Sequence, residues 1–368
     1  MISLKELLKQ HGAANTTPID RFLLFRYFDK YHPKIFSKGG LYRAIEHHVP
    51  RPDYIDFEVP DIQADITAEK LQQTLEEHKV AYLKDVSSTV GGGSGVIKII
   101  LLEDEVKLVI PHRTTRDILE RRLGRLFQDE SDDFIHFIGH GFSHSDRVSL
   151  PIMKTMRDQP LQKILSTLLK HALQPGEYVI EAPINIPLYN NRTWEIRNIV
   201  QCPSGVPQIT ARYTKVGAGQ DFSNILLGGE AEDPLTVITH IYQTHRDVNQ
   251  ATAQQLAQEY LSANDKVTLE AATALSAYMR TIAREHLQDI EPQQFYAREF
   301  SVDITAEFNT EGIISPIVGE LQYPLGCYAS YTPELMKTDP QKLDLIREIN
   351  ESMEDEDRKL IEQRYFLN

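Results

Sequence analysis

The sequence is poor in the residues that build disulfide frameworks, thiolate metal sites and membrane spans. Only two cysteines, Cys202 and Cys327, occur among its 368 residues, too few for a disulfide framework or a zinc site made of thiolates. No stretch approaches the ~20 consecutive apolar residues that cross a bilayer. The first residues, MISLKELLKQHG, lack the apolar core of a signal peptide. We therefore expect a soluble cytoplasmic protein without a membrane partner.

Basic residues are also in deficit. Lysine and arginine number 39 against 53 aspartates and glutamates, which gives a formal net charge of −14. Nucleic acids and acidic membranes bind to basic faces, so this balance argues against a nucleic-acid partner. A local basic cleft for a triphosphate is still compatible with it. A homodimer stays open as the assembly.

Strand and helix patterns alternate in blocks along the chain, which predicts a mixed α+β fold. Strand patterns cover 80–86, 96–102, 105–111, 177–184, 193–202, 207–216, 300–308 and 313–321. Helical patterns cover 1–37, 68–78, 114–127, 159–173, 234–261, 266–289 and 333–368. The pairs 80–86 with 96–102, 193–202 with 207–216, and 300–308 with 313–321 are predicted hairpins.

A lysine and a glycine-rich loop form the first candidate for a phosphate site. Lys84 lies late in a predicted strand, and glycines follow it in the loop 91–95. Glycines let backbone N–H groups approach phosphate oxygens closely. No Gly-Lys-Ser/Thr follows and the next element is a strand, which excludes a Walker A loop and a Rossmann turn. A simple flexible turn is the alternative.

Charged residues on later strands are the next candidates. Glu181 ends an apolar strand and could present backbone groups to an adenine edge, although an ordinary strand end at a domain hinge fits equally well. Alternation places Glu195 and Arg197 on one face of their strand. Arg212 lies on the next strand, and either arginine could instead be a salt-bridge partner.

Two carboxylates occupy the two arms of the last predicted hairpin. Asp303 and Glu320 offer the hard oxygen ligands that Mg²⁺ prefers, with Glu307 as a substitute on the first arm. A second candidate metal site is the series His136, His140 and His144, which a helix would place on one face. Two intervening glycines disfavour that helix, so packing or a loop position is the stronger interpretation.

The order of these features resembles the ATP-grasp superfamily. The sequence motifs are most similar to those of the endospore-coat-associated (YheC/YheD-type) proteins of that superfamily. The resemblance runs from about Phe36 to Leu325. Its most specific pieces are YLKDVSSTVGGGSGVIKI, YVIEAPINIPLYNNRTWEIRNIV, SNILLGG and VDITAEFNTEG followed by GELQYP. The resemblance implies two lobes that clamp ATP, over 38–175 and 176–332, between a helical segment at 1–37 and a helical tail at 333–368.

The resemblance also implies a role for each matching residue. The phosphate lysines would be Lys38 and Lys84, and the lid tip would be Gly92, Gly93, Ser94 and Gly95. The adenine slot would be lined by Glu181, Ala182 and Ile184, with Asn185 or Leu188 near the ribose. The catalytic cations would be Arg197, Lys84 and Arg212, and magnesium would be held by Asp303, Glu320 and Gln322.

The activity implied is an ADP-forming ligation of a carboxylate, from a small molecule or a peptide, to an amine, with ATP and Mg²⁺ as cofactors. Such chemistry needs no side-chain nucleophile. A non-catalytic ATP-binding protein with structural or regulatory function is the alternative. Three departures from the family pattern stand out: Gln322 replaces the usual asparagine, Pro316 interrupts a strand, and only about 36 residues precede Lys38, so the usual amino-terminal domain is expected to be reduced.

Overall fold

The structure is a computed structural model, and it divides the chain into two compact units. It describes residues 32, 34–59, 64–86, 95–102, 106–109, 161–167, 169–170, 173, 175–220, 223, 225, 229–286, 297–309, 312, 314–322, 338–339 and 341–361. The first unit comprises Met1–Arg51, Asn185–Ile225 and Gly229–Asn368, and the second comprises Pro52–Ile184 with Leu226–Gly228.

The second unit is built on a five-stranded antiparallel sheet. Its strands are β1 (Tyr54–Val59), β2 (Val80–Asp85), β3 (Val96–Leu101), β4 (Val106–Val109) and β5 (Gly176–Glu181), in the order β1-β5-β2-β3-β4. Two helices, α2 (Ala64–His78) and α3 (Leu161–Thr167), belong to the same unit. Alternate strand residues such as Leu83, Ile97 and Ile99 form its core with leucines of these helices.

The first unit is built on the other five-stranded antiparallel sheet. Its strands are β6 (Trp194–Gln201), β7 (Gln208–Val216), β8 (Glu230–Glu232), β9 (Glu299–Phe308) and β10 (Ile314–Gln322), in the order β10-β9-β6-β7-β8. Its helices are α1 (Lys38–Ile45), α4 (Pro234–Arg246), α5 (Gln250–His286) and α6 (Gln341–Ile361). The predicted mixed α+β class and the three predicted hairpins are confirmed.

The two faces of the sheet in the first unit are covered by different elements. Apolar side chains on one face, among them Trp194, Ile196 and Phe300, pack against α4 and α5. On the other face, α6 packs through Ile346 against Tyr213 and its neighbours, while the remainder carries charged side chains. Because successive strand residues point to opposite faces, each strand contributes to both.

The break between the two long helices lies elsewhere than predicted. The sequence pattern places it between 261 and 266, whereas α4 ends at Arg246 and α5 runs unbroken through that region. Asp247 adopts a left-handed conformation that ends α4, and the Asn249 side chain accepts a hydrogen bond of 3.0 Å from the Thr252 N–H at the start of α5. Asn264, which lies in the predicted break, has its side chain buried in the core.

Two further features concern strands of the sheets. Strand β1 lies in a segment for which no strand was predicted. Pro316 lies in β10, at the end of the described sheet order, and an edge is where a strand tolerates a missing N–H donor. None of the helices in the described segments is long and apolar enough to cross a membrane.

Candidate functional site

One face of the sheet in the first unit carries a cluster of charged side chains from four neighbouring strands and from α1. The strand register pairs Arg197 with Asp303, Glu195 with Lys215, and Glu320 with Asp303. Directly paired residues in an antiparallel sheet share a face, so the alternation of each strand brings these groups together. The charge cluster consists of Lys38, Glu195, Arg197, Lys215, Asp303 and Glu320.

Asp303 is the centre of the charge cluster, and its side chain is completely buried. Arg197 grips it with two bonds, from Nε to Oδ1 at 2.8 Å and from Nη2 to Oδ2 at 2.7 Å. Lys215 donates from Nζ to Oδ2 at 2.8 Å and also forms an ion pair with Glu195. Such a bidentate arginine with a second cation fixes the carboxylate in one orientation.

A β-bulge brings Glu320 to the same face as Asp303. The register pairs Val318 with Ile304 but Glu320 with Asp303, so Gly319 is an extra residue in β10. Because a shift by one residue moves every following side chain to the other face, the bulge determines that Glu320 points at the charge cluster. Lys38 Nζ then lies 2.8 Å from Glu320 Oε1.

Helix α1 is tied to this hairpin at the bulge. The Tyr42 hydroxyl donates to the Gly319 carbonyl at 3.3 Å. Ser37 caps the helix by accepting from the Gly40 N–H at 3.1 Å. A side chain at Gly40 would lie 2.2 Å from the Lys34 carbonyl oxygen, so this glycine allows the close turn that presents Lys38.

Mutual pairing sets the protonation of the buried groups. Burial alone would raise the pKa of the Asp303 carboxyl, but Arg197 and Lys215 outweigh it and hold that pKa well below its usual value. Burial likewise opposes the charge on Glu320, yet Lys38 lowers its pKa. Burial disfavours the charged forms of Arg197 and Lys215, but Asp303 keeps the pKa of each above its usual value. These four groups are therefore ionised at neutral pH.

Side-chain oxygens on this face could hold an ion that is shared with a phosphate. Gln322 follows Glu320 by two residues on β10, and the register pairs it with Ser301. The described residues hold no group of three or more His, Cys, Asp or Glu side chains that could bind a metal by itself. Mg²⁺ at nucleotide sites is usually held by one or two carboxylates together with phosphate oxygens, and Asp303, Glu320 and Gln322 match that pattern. Glu307 is exposed, farther along β9.

In the second unit, the structure brings Lys84 and Glu181 together. Lys84 Nζ lies 2.5 Å from Glu181 Oε2, and the Glu181 side chain is almost fully buried. The register of β2 and β5 places the two residues diagonally across neighbouring strands. The residues expected to meet opposite ends of a nucleotide thus contact each other.

The predicted lid lies largely outside the described residues, since Gly92, Gly93 and Ser94 are not among them. Gly95 is described, with a φ of 78°, a conformation that favours glycine. A side chain there would approach the Asp85 Cβ to 2.6 Å. Gly95 therefore closes the hairpin between β2 and β3. The series His136, His140 and His144 also lies outside the described residues.

The residues expected around adenine and ribose lie along the segment that follows β5. Ala182 donates its N–H to the Asp53 carbonyl at 3.1 Å, and Ile184 is half-buried. Asn185 exchanges backbone and side-chain bonds with Phe308. Asn185 and Leu188 line a cavity of about 550 Å³ together with His240, His245 and Phe308. Within the described part of the chain, none of the charge-cluster residues lines it.

The structure separates Arg212 from the charge cluster and adds Lys215 to it. Arg212 pairs in register with Asn198, on the helix-covered face, and forms an ion pair of 2.7 Å with Asp265 of α5. Lys215, only 6% exposed, was missed by the sequence analysis. Its signal was the spacing in QITARYTKV, where Lys215 stands opposite Glu195 once the register of β6 and β7 is known.

No protein-family model matches the sequence, and no curated protein matches it. Among solved structures, the chain is similar to the D-alanine–D-alanine ligase from Coxiella burnetii, with 11% identity and a TM-score of 0.39 over 89% of this chain and 60% of that one. It is similar to D-alanyl-alanine synthetase A from Vibrio cholerae, with 10% identity and a TM-score of 0.38 over 87% and 66%.

It is also similar to the ATP-grasp ligase PsnB, solved in complex with a minimal precursor, with 11% identity and a TM-score of 0.34 over 88% of this chain and 64% of that one. The chain thus spans between 60% and 66% of the length of these three proteins. At this level of identity, the function of the chain has to be argued from its own residues.

Proposed function

We propose that the protein is an ATP-dependent ligase of the ATP-grasp type, which joins a carboxylate to an amine and forms ADP. The observation that carries this proposal is the buried Asp303 carboxylate, held by Arg197 and Lys215 at the centre of the charge cluster. A site for phosphoryl transfer needs several fixed cations for the transferring group and carboxylates for its magnesium. The charge cluster offers both kinds of group.

The protein's own part in the reaction is to orient and neutralise. A substrate carboxylate oxygen attacks the γ-phosphorus of ATP, the bond to the β-phosphate oxygen breaks, and ADP leaves. An amine then attacks the carbonyl carbon of the acyl phosphate; phosphate departs and the nitrogen loses a proton. Lys38, Arg197 and Lys215 would bind the oxygens on which negative charge accumulates during these steps. Asp303, Glu320 and Gln322 would hold Mg²⁺, which would further neutralise the phosphates.

The charge balance of the cluster supports this assignment. Its three carboxylates and three cations neutralise one another in ion pairs. A magnesium nucleotide brings both signs of charge, so phosphate oxygens can take over the cations while the ion takes the carboxylates. Replacing one paired set by another avoids leaving any buried charge uncompensated, which would be strongly unfavourable.

The remaining expected contacts belong to the same proposal. Lys84, Glu181 and the glycine loop 91–95 keep, as part of this proposal, the nucleotide-binding roles that the resemblance implies for them. We also propose a relation to the endospore-coat-associated proteins, which rests on the sequence motifs quoted above. The substrates would be small molecules or peptides with a free carboxylate and a free amine.

A non-catalytic ATP-binding protein is the second candidate. Gln322 favours it, because glutamine reaches one methylene further than the asparagine usual at this place and would hold the ion differently. Such a protein would bind Mg-ATP through the same cluster and release no ADP.

Binding and turnover measured side by side separate these candidates. Mg-ATP should raise the melting temperature, since ligand at a hundredfold excess over its Kd adds about 2.7 kcal/mol to the stability of the folded state. Incubation with Mg-ATP and pooled amino acids and peptides should release ADP and yield a product of new mass. ATP binding without ADP release for any acceptor would establish the second candidate, and an unchanged melting temperature would contradict both.

A matched pair of lysine variants tests whether Mg-ATP binding depends on the charge cluster. Lys215→Met removes a buried cation of the cluster and should weaken Mg-ATP binding by about tenfold or more, equivalent to roughly 1.4 kcal/mol. Lys266→Met removes an exposed lysine on α5 that forms, within the described part of the chain, an ion pair of 4.0 Å with Glu270 of its own helix. It should bind Mg-ATP as the wild type does.

A further inference from the structure

Polar side chains occupy the helix-covered face directly behind the charge cluster. Asn198 follows Arg197 in β6, Val302 precedes Asp303 in β9, and the register pairs Asn198 with Val302. The side chains of Asn198 and of Asn264 in α5 are completely buried. They lie in a region that is otherwise packed with apolar residues, so their presence calls for a physical reason.

These two amides bond to each other and to the sheet. Asn264 Nδ2 donates to Asn198 Oδ1 at 2.9 Å, and Asn198 Nδ2 donates to Asn264 Oδ1 at 3.3 Å and to the Val302 carbonyl at 3.4 Å. An apolar pair of similar volume would hold helix and sheet together equally well, because replacing both partners of a buried bond is often neutral or stabilising. A reciprocal amide pair adds directional hydrogen bonds, which allow one alignment of the helix on the sheet.

A neighbouring ion pair connects the same helical turn to the next strand. Arg212 of β7 is the register partner of Asn198, and it pairs with Asp265, the residue that follows Asn264, at 2.7 Å. One turn of α5 thus grips β6 and β7 immediately behind Arg197. We call the set Asn198, Arg212, Asn264 and Asp265 the rear clamp.

We propose that the rear clamp is a positioning device for the charge cluster, which fixes β6 against β9 so that Arg197 and Asp303 meet in one geometry. Arg212 is then a positioning residue rather than a catalytic cation. The consequence for nucleotide affinity rests on the proposed function, whereas the effect on the strands does not. Two cations and a carboxylate that bind phosphate and magnesium have to be held within fractions of an ångström, and supporting bonds behind them supply that restraint.

The decisive variant replaces both buried amides, Asn198→Leu with Asn264→Leu. No buried polar side chain loses its partner in this double variant, so its unfolding midpoint should stay near that of the wild type. Native-state hydrogen exchange should nevertheless become about tenfold faster in peptides covering β6 and β9, and stay unchanged in the second unit. Mg-ATP affinity should fall about tenfold.

The matched control is Gln243→Leu with Gln250→Leu. This amide pair also joins two elements, α4 and α5, through a bond of 3.1 Å, but the bond is exposed and includes no residue of the charge cluster. It should change neither the exchange of β6 and β9 nor the affinity. Unchanged exchange in the Asn198→Leu, Asn264→Leu variant would overturn the proposal. Faster exchange with unchanged affinity would overturn the positioning role.

A milder variant covers the case in which the double replacement does not fold. Asp265→Asn keeps the volume of a partly exposed side chain and removes only the charge that holds Arg212. It should accelerate exchange in β6 and weaken Mg-ATP binding to the same extent as Arg212→Gln. A much larger loss of affinity in Arg212→Gln than in Asp265→Asn would assign Arg212 to the ligand and overturn its place in the clamp. If the wild type binds no Mg-ATP, the proposed function fails, and hydrogen exchange alone decides the clamp.

Discussion

Asp303 combines complete burial with three charge-assisted bonds to Arg197 and Lys215. Removing these ions from water is costly, and an apolar set of similar size would often stabilise a fold better. Pure structural stability is therefore a weak explanation for such a group. A role in binding charged ligands gives a direct reason for keeping it.

Asp303→Asn should destabilise the protein by about 3–5 kcal/mol at neutral pH, because it leaves Arg197 and Lys215 buried without their counter-charge. The pKa of Asp303 is lower in the folded than in the unfolded chain, so its ionisation stabilises the fold above the usual value of about 3.9. That contribution disappears as the pH falls towards the lowered folded pKa. The difference in unfolding free energy between the wild type and Asp303→Asn, measured by urea unfolding, should therefore be largest near pH 7 and become smaller below about pH 4.

The control for this variant is Asp344→Asn. Asp344 lies on α6, is largely exposed and pairs with Arg347 at 3.3 Å, so its loss should change the unfolding free energy by less than about 1 kcal/mol. Equal effects of the two substitutions at pH 7 would contradict the central place given to Asp303.

At the scale of elements, the hairpin of β9 and β10 shows how one extra residue controls a site. The bulge at Gly319 lets Glu320 point to the charge cluster while Leu321 enters the core. A regular hairpin of the same sequence would turn Glu320 towards α5 and Leu321 towards the polar face. The orientation of the Glu320 carboxylate thus depends on backbone geometry as well as on residue type.

Deleting Gly319 should be tolerated, because Glu320 then follows Val318 directly and still pairs with Asp303, while Leu321 still enters the core. The loss of stability should be about 1 kcal/mol, the usual contribution of a bond such as the one that the Gly319 carbonyl accepts from Tyr42. Deleting Leu321 instead removes a core side chain and turns Gln322 to the face covered by α5, which should cost about 1.5–3 kcal/mol or more. Gly319→Ala is the matched control, because an added Cβ would lie at ordinary distances of 3.7 Å from the Asp303 carbonyl oxygen and 3.9 Å from Glu195 Oε2. Chemical unfolding of the three variants tests this. A Gly319 deletion that costs as much as the Leu321 deletion would show that Gly319 is not an extra residue of the strand.

Sequence periodicity predicted most of these strands because each buries one face, as in WEIRNIVQ. It placed Glu195 and Arg197 together for the same reason. It could not predict that Lys215 rather than Arg212 joins them, since that depends on the register between β6 and β7. The bulge at Gly319 and the capping of α5 by Asn249 are likewise decided by tertiary pairing, which a single strand or helix pattern does not contain.

At the scale of the whole molecule, each of the two compact units has its own sheet and its own core. Among the described residues, the buried core of the second unit lies between Ala68 and Ile180, and Ile55 and Phe57 of β1 pack against it. Its first and last strands pair, with Tyr54 opposite Glu181, so the two ends of the segment 52–184 lie side by side. Closely spaced termini and a separate core are properties of domains that fold alone.

The segment 52–184, produced by itself, should therefore fold cooperatively. We expect a single thermal transition in far-UV circular dichroism and strand-rich spectra, because all strands of the sheet β1-β5-β2-β3-β4 are contained in it. Leu83→Asp places a charge at a completely buried position and should abolish the transition, since an unpaired charge in a core costs several kcal/mol. Ile66→Asp, at a position that is 51% exposed, should leave it in place. A segment that shows no transition, or whose transition survives Leu83→Asp, would mean that this core is not what holds the second unit together.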